Sequence, residues 1–157
     1  MNDFYTFREY MNRMDEKLSA STQDYLEMIC RLSLDKGYTR VSELSSALNV
    51  QPPAATRMVQ KLAEMKLIKY EKYGVLVLNE TGKEMGNYLL QRHGIIDKFL
   101  KILGVSDSQR LESTEKMEHT IGKETLQCIS LFIEYVEENP RFLTAYNLFR
   151  MQKEKKD

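Results

Sequence analysis

The strongest constraint on the fold is the order of apolar patterns over residues 42–78. A short helical pattern comes first, and after a proline turn a second helical pattern opens at Pro53. Two β-rich runs, 67–72 and 75–78, then flank Tyr73-Gly74 and predict a hairpin. Helix, tight turn, helix and two-stranded hairpin is the order of a winged helix-turn-helix.

The rest of the sequence predicts helices and little else. Ser42 is the expected N-cap of the short helix, and Gly104 is expected to end a long helix that begins near Glu80. Other helical patterns cover residues 3–17, the stretch from the Ser19–Thr22 break to Asp35, and residues 108–122, 124–138 and 140–154. We therefore predict a mainly α protein with an N-terminal winged helix-turn-helix domain and an all-helical C-terminal part. The predicted division is an extra helix (1–20), the winged domain (21–80), a linker helix (81–104) and a helical domain (105–157).

The composition excludes several classes of protein. The 157 residues carry no net charge, with 42% hydrophobic and 29% charged residues, which argues against wholesale disorder. No apolar run approaches the roughly 18 residues of a transmembrane helix, and the first residues do not form a secretory signal. Cys30 and Cys128 have no metal-binding spacing and are expected in the core. We expect a cytoplasmic protein with no membrane partner.

Charge is segregated along the chain. Residues 50–72 carry a net charge of +3, whereas residues 105–139 carry −5. A basic middle and an acidic C-terminal half suggest two different tasks, although chance composition accounts for the difference equally well.

The second helix of the pair and the hairpin have the residue types that bind DNA. Arginine and glutamine contact base edges in the major groove, and lysine and threonine contact phosphates. The candidate DNA-binding residues are Gln51, Pro53, Thr56, Arg57, Gln60, Lys61, Lys69 and Lys72. The alternatives are an ordinary solvated helix face and a winged helix that binds another protein.

Acidic residues and both histidines form a possible metal site. Asp24 and Glu27 are one helical turn apart, and Glu115, Glu118 and His119 share one side of another helix. His93 lies on the long helix, with the acid Asp97 one turn later. Oxygen and imidazole donors without sulfur favour Mn²⁺ or Fe²⁺. Each piece alone also fits a solvated surface, a helix N-terminus or a hydrogen-bonded histidine.

Together these pieces resemble the DtxR/MntR family of metal-dependent transcriptional repressors, and its manganese-regulator branch in particular. The resemblance covers roughly residues 21–138. The segments that carry it are Asp24–Glu27, Lys36–Ser42, Val50–Leu62, Ile68–Leu78, Arg92-His93, Phe99–Val105 and Glu115–His119. The chain departs from the family at Ala54, where a hydroxyl residue is often found, so the operator sequence cannot be transferred.

The resemblance implies a two-metal site between the DNA-binding domain and a C-terminal metal-binding and dimerisation domain. Its ligands would be Asp24, Glu27, His93, Glu115, Glu118 and His119. The iron-type branch has a thioether and a thiol at the positions of Asp24 and Glu115, so oxygen ligands there indicate manganese, with Fe²⁺ or another divalent ion as the alternative. Candidate contacts of a homodimer, which a monomer core would also use, are Leu126, Ile129, Phe132, Ile133 and Val136.

The predicted function is a manganese-responsive repressor of metal-uptake genes. A homodimer would bind a palindromic double-stranded operator when Mn²⁺ occupies the site, and no small organic substrate is expected. The alternatives are an iron-responsive repressor of the same family and a winged-helix regulator that senses a small organic ligand. A metallohydrolase is disfavoured because the sequence has no nucleophile elbow and no glycine-rich phosphate loop, so we expect no enzymatic activity.

Overall fold

The computed structural model describes residues 18–155. The elements follow in the order α1 (Ala20–Ser33), β1 (Thr39–Arg40), α2 (Val41–Ala47), α3 (Pro52–Glu64), β2 (Ile68–Tyr70), a 3-10 turn (Lys72–Gly74), β3 (Val75–Leu78), α4 (Glu80–Leu103), α5 (Asp107–Glu118), α6 (Lys123–Glu138) and α7 (Pro140–Glu154). The described chain is mainly α with a small sheet, which confirms the predicted fold class. The helix predicted over residues 3–17 lies outside the described residues. Among the helices of residues 18–155, none is long and apolar enough to cross a membrane.

The chain divides into two compact units between Leu90 and Gln91. Helix α4 contributes its first half to the N-terminal unit and its second half to the C-terminal unit. The long helix α4 is thus shared by the two units. A separate linker segment over residues 81–104 stays a prediction.

The core of the N-terminal unit is built from one face of each of its helices and of the sheet. Leu26 and Ile29 of α1 are fully buried, as are Val59 and Leu62 of α3 and Leu76 of β3. The spacing of three residues in each helical pair puts both side chains on one face. Helix α1 therefore shares a continuous core with α3.

The sheet has three antiparallel strands in the order β1-β3-β2. Strands β2 and β3 form the predicted hairpin, and its register pairs Ile68 with Leu78 and Tyr70 with Leu76. Strand β1 adds the pair Thr39 and Leu76 on the other edge of β3. The sequence did not reveal β1 because a strand of two residues is too short to show an alternating pattern.

Several helix ends differ from the predictions. Helix α2 begins at Val41, with Arg40 rather than Ser42 as its N-cap, because the Glu43 carboxylate accepts a hydrogen bond from the Arg40 backbone N–H at 3.0 Å. A capping acid at the third helical position replaces the expected serine hydroxyl. Helix α3 begins one residue early, at Pro52, where a missing N–H is harmless. Helix α5 ends at Glu118 rather than near residue 122.

The C-terminal unit packs the second half of α4 against the last three helices. Ile96 and Leu100 of α4 form a buried cluster with Leu126 of α6. The end of α4 is fixed by α7, whose Arg150 guanidinium donates to the Gly104 carbonyl at 3.1 Å. Gly104 has φ +88°, so the predicted helix stop uses the left-handed conformation that glycine adopts easily.

Candidate nucleic-acid interface and metal centre

Helix α3 has a buried face and an exposed polar face. Ala55, Val59 and Leu62 are buried, while Arg57 and Gln60 are exposed. Burial of one face fixes the rotation of the helix, so its polar face must point to solvent. This is the arrangement required of a recognition helix that enters a DNA groove.

Seven of the eight predicted DNA-binding residues are exposed, and one of these seven, Lys61, also hydrogen-bonds to α1. The exposed ones are Gln51, Pro53, Arg57, Gln60, Lys61, Lys69 and Lys72. Thr56 is only half-buried, so its hydroxyl is less accessible than the prediction assumed. The Lys61 Nζ lies 3.5 Å from the hydroxyl of Thr22 and so connects α3 to α1. Contact of these eight residues with DNA stays a prediction.

A polar network joins the start of α2 to the hairpin. The sequence patterns did not predict it. One Glu43 oxygen accepts from the Lys36 Nζ at 2.6 Å, and the other accepts from the Thr39 hydroxyl at 2.8 Å. The hydrogen bonds from Lys36 and Thr39 lower the pKa of Glu43 below its ordinary value. The Arg40 guanidinium then donates to the Tyr73 carbonyl at 3.2 Å. Glu43 lies where the acid of a capping box stands, but Arg40 is not the serine or threonine of that pattern, so no sequence signal pointed to this network.

The N-terminal unit presents two of the predicted metal ligands on α1. Asp24 is exposed, whereas Glu27 is only 8% exposed and forms a salt bridge with Arg31 at 2.9 Å. A nearly buried carboxylate requires a charged or hydrogen-bonding partner, and Arg31 supplies one here. The helical spacing puts Asp24 and Glu27 on the same side of α1, as predicted.

The C-terminal unit brings three predicted ligands together from separate parts of its sequence. The His93 Nδ1 lies 2.9 Å from a Glu118 oxygen, and the His119 Nε2 lies 3.7 Å from the other Glu118 oxygen. Glu118 is 2% exposed. Glu115, one turn earlier on α5, is exposed. Asp97, considered as an auxiliary acid, instead forms a salt bridge with Arg110 at 2.8 Å.

The donor set of this cluster fits a hard divalent cation. A buried carboxylate between two imidazoles offers oxygen and nitrogen ligands without sulfur, which suits Mn²⁺ or Fe²⁺. The apposition of His93 and Glu118 also lets the carboxylate fix the orientation of the imidazole ring. Asp24 and Glu27 of the N-terminal unit are oxygen donors of the same class.

Buried apolar residues dominate the predicted dimer contacts. Leu126, Ile129, Ile133 and Val136 are 3–9% exposed in the single chain. Phe132 is half-buried and has edge contacts with the rings of Phe99 and Phe142. These five side chains thus already pack within the chain, and their role between two copies stays a prediction. Cys30 is buried as expected, but Cys128 is exposed because it lies on the outer face of α6.

Comparison with protein families gives two adjoining matches. Residues 17–76 match the family described as "Iron dependent repressor, N-terminal DNA binding domain". Residues 79–144 match the family described as "Iron dependent repressor, metal binding and dimerisation domain". The boundary between the matches falls within a few residues of the start of α4.

Individual proteins are similar over most of the chain. The HTH-type transcriptional regulator MntR of Geobacillus kaustophilus (strain HTA426) is 38% identical over 127 residues, which are 81% of this chain and 90% of that protein. Among solved structures, the manganese regulator SloR superposes on 73% of the chain with a TM-score of 0.64 and 26% identity. ScaR with bound Zn²⁺ also superposes on 73%, with a TM-score of 0.62 and 27% identity. The chain spans 54% of the length of each of these two structures.

Proposed function

Because this chain belongs to the iron-dependent repressor family, we propose that it is a manganese-responsive member that represses metal-uptake genes. The family consists of metal-dependent, DNA-binding transcriptional repressors and not of enzymes. The proposal concerns the identity of the metal, the ligands that hold it, and the genes that are controlled.

The pairing of His93 with Glu118 is the observation that carries the proposal. It lies in the stretch that matches a metal-binding and dimerisation domain, and it joins a buried carboxylate to an imidazole at 2.9 Å. Manganese is favoured over iron because Asp24 and Glu115 are hard oxygen donors. The 38% identity to a regulator named MntR supports the same choice.

Helix α1 provides a physical route from metal to DNA. We place Asp24 and Glu27 in the same metal site as His93, Glu115, Glu118 and His119, with ions held by ligands of both units. In the metal-free protein the carboxylates repel one another, and Mn²⁺ neutralises them and restrains α1. Since α1 shares its core with α3 and hydrogen-bonds to it through Thr22 and Lys61, restraining α1 also restrains the recognition helix. The protein then loses less conformational freedom when it binds DNA, so its affinity for DNA rises.

A homodimer completes the proposed repressor. The C-terminal unit matches a dimerisation domain, and two copies related by a twofold axis would present two α3 helices to a palindromic operator. The centres of the half-sites would then be about 34 Å apart, or a small multiple of that distance. We place the predicted contacts, including Phe132 and Val136, at or beneath this interface.

The experiment is a DNA-binding assay under controlled metal. Duplexes are first selected from a random-sequence library with chelator-treated protein and added Mn²⁺. The affinity for the selected duplex is then measured by fluorescence anisotropy with Mn²⁺, with Fe²⁺ under anaerobic conditions, and with chelator alone. We expect tight binding with Mn²⁺, weaker binding with Fe²⁺, and loss of binding with chelator.

A matched pair of variants tests the ligand assignment. Glu118→Gln is expected to abolish the response to Mn²⁺, because it removes the charge of the buried carboxylate. Glu112→Gln, the same change at an exposed position of α5, should respond as the wild type does. Equal responses of the two variants would contradict the assignment of Glu118. DNA affinity that does not change on addition of chelator would indicate a regulator that senses an organic ligand. A stronger response to Fe²⁺ than to Mn²⁺ would indicate an iron-responsive repressor.

A further inference from the structure

We propose that Tyr73, at the tip of the hairpin, is a DNA contact held in place by Arg40. This inference rests on the DNA binding that the family shares and not on the identity of the metal. Its chemical partner is the sugar–phosphate backbone of a duplex beside the groove that α3 enters.

The exposure of Tyr73 is the first observation. Its side chain is 90% exposed, the highest value among the large apolar side chains of residues 18–155. An aromatic ring this exposed contributes almost nothing to the core, and a position at a hairpin tip needs no aromatic residue. Within residues 18–155, no burial of the ring explains the presence of a tyrosine.

The backbone of Tyr73 is the second observation. Its φ is +62° and its ψ +27°, in the left-handed region that a bulky residue rarely adopts. Gly74 follows with φ +71°, so two consecutive residues turn the chain in this way. Asparagine or glycine at position 73 would adopt this conformation with less strain. The hairpin turn requires this conformation but does not require a tyrosine, so the choice of residue has a cost that the turn does not explain.

The surroundings of Tyr73 identify the partner as an anion-rich surface. Arg40 donates to its carbonyl at 3.2 Å, and Arg40 is in turn placed by Glu43. Lys72 precedes Tyr73, and Lys69 lies on the adjoining strand β2, both exposed. The nearby acids are Glu71, which is exposed, and Glu43, which is paired with Lys36, so the three cations outnumber them. A basic hairpin next to a recognition helix matches the charge of a DNA backbone.

Tyrosine has the right chemistry for this contact. Its ring can pack on a deoxyribose, and its phenolic O–H can donate to a phosphate oxygen, a common partner of tyrosine in DNA complexes. Such a contact adds affinity for every sequence and does not read bases. The predicted effect of losing it is therefore similar for operator and for mixed-sequence DNA.

The chain has no tryptophan, so Tyr73→Trp introduces a single indole as a reporter. The probe is sheared, mixed-sequence duplex DNA at low salt, with and without Mn²⁺, and binding is followed independently by anisotropy of labelled DNA. We expect DNA to quench the indole and to shield it from acrylamide. Tyr135→Trp, at a 52% exposed position of α6, is the control and should stay accessible.

Affinity measurements on variants of Tyr73 separate the contributions of its ring, its hydroxyl and its backbone strain to DNA binding. Tyr73→Ala is expected to weaken DNA binding by about tenfold, which is about 1.4 kcal/mol, with Tyr73→Phe in between. Tyr73→Gly should bind as weakly as Tyr73→Ala, while its Tm is no lower than that of the wild type, because the left-handed strain is relieved.

The outcomes distinguish this inference from the proposed function. If DNA binds but the Tyr73→Trp indole stays as accessible as that of Tyr135→Trp, the inference is wrong. Wild-type affinity in Tyr73→Gly would also overturn it. A shielded indole together with an affinity that does not change with Mn²⁺ supports the role of Tyr73 and refutes only the manganese proposal.

Discussion

Substitution of Gly86 by alanine should weaken the packing of α4 against α1, the helix that carries the predicted metal ligands Asp24 and Glu27. A Cβ at Gly86 of α4 would lie 2.7 Å from the Cβ of Cys30 and 2.9 Å from its Sγ. Real carbon–carbon contacts are not that short, so α1 must move away from α4. Cys30 is three residues after Glu27, so the displaced part of α1 includes a predicted metal ligand.

The expected magnitude follows from two opposing terms. Overpacking a well-filled contact costs about 1–3 kcal/mol. Replacing a helical glycine by alanine stabilises a helix by about 0.5–1 kcal/mol. The Gly86→Ala variant should therefore lose about 0–2.5 kcal/mol of unfolding free energy, which lowers Tm by up to several degrees for a chain of this size. Its affinity for Mn²⁺ should fall as well, because Glu27 is displaced.

Gly94 provides the matched control on the same helix. A Cβ at Gly94 would meet no atom of residues 18–155 within 4 Å outside its own helix backbone and chain neighbours, so only the helix-propensity term remains. Gly94→Ala should therefore stabilise the protein by about 0.5–1 kcal/mol. Urea unfolding followed by circular dichroism measures both variants. If both variants changed the unfolding free energy in the same direction, the close approach of Cys30 to Gly86 would not be the cause of a destabilisation.

Two further predictions concern ionisable side chains. A thiol-reactive dye should label Cys128 rapidly and Cys30 slowly in the native protein, because Cys30 is buried and burial, with the nearby Glu27 charge, raises the pKa of its thiol. Two rapidly labelled thiols would contradict the packing of α1. Because the folded-state pKa of Glu43 is lowered, its stabilising contribution is present above the ordinary carboxyl pKa and is lost as pH falls through the lower folded value. Acid titration of Tm should show a smaller loss for Glu43→Gln than for the wild type, and equal curves would exclude the Glu43 network as a source of acid sensitivity.

Sequence patterns predicted the winged domain because its signals are local. The apolar spacing of Val59 and Leu62 fixed the rotation of α3, and Pro52-Pro53 and Gly74 marked the turns. Strand β1 was missed because two residues carry no periodicity. The prediction that Cys128 lies in the core was wrong, because the preference of cysteine for buried positions does not specify which face of a helix it occupies.

The candidate metal site could be predicted only in part. Helical spacing related Glu118 to His119 and Asp24 to Glu27, since these pairs are close in sequence. The 2.9 Å contact of His93 with Glu118 joins helices whose packing depends on the whole C-terminal core, including Ile96 and Leu126. The left-handed conformation of Tyr73 agrees with the hairpin predicted at Tyr73-Gly74, because the favoured two-residue hairpin turns have positive φ at their first residue.

The most direct test of the proposed metal site is a count of bound Mn²⁺. Chelator-treated protein is titrated with Mn²⁺, and the loss of the EPR signal of the free ion is recorded for the wild type, Asp24→Asn, Glu118→Gln and the control Glu112→Gln. We expect about two ions per chain for the wild type and for Glu112→Gln, and reduced uptake for Asp24→Asn and for Glu118→Gln. Full uptake by Asp24→Asn would contradict a site that needs ligands from both units, and no uptake by the wild type would contradict the manganese site itself.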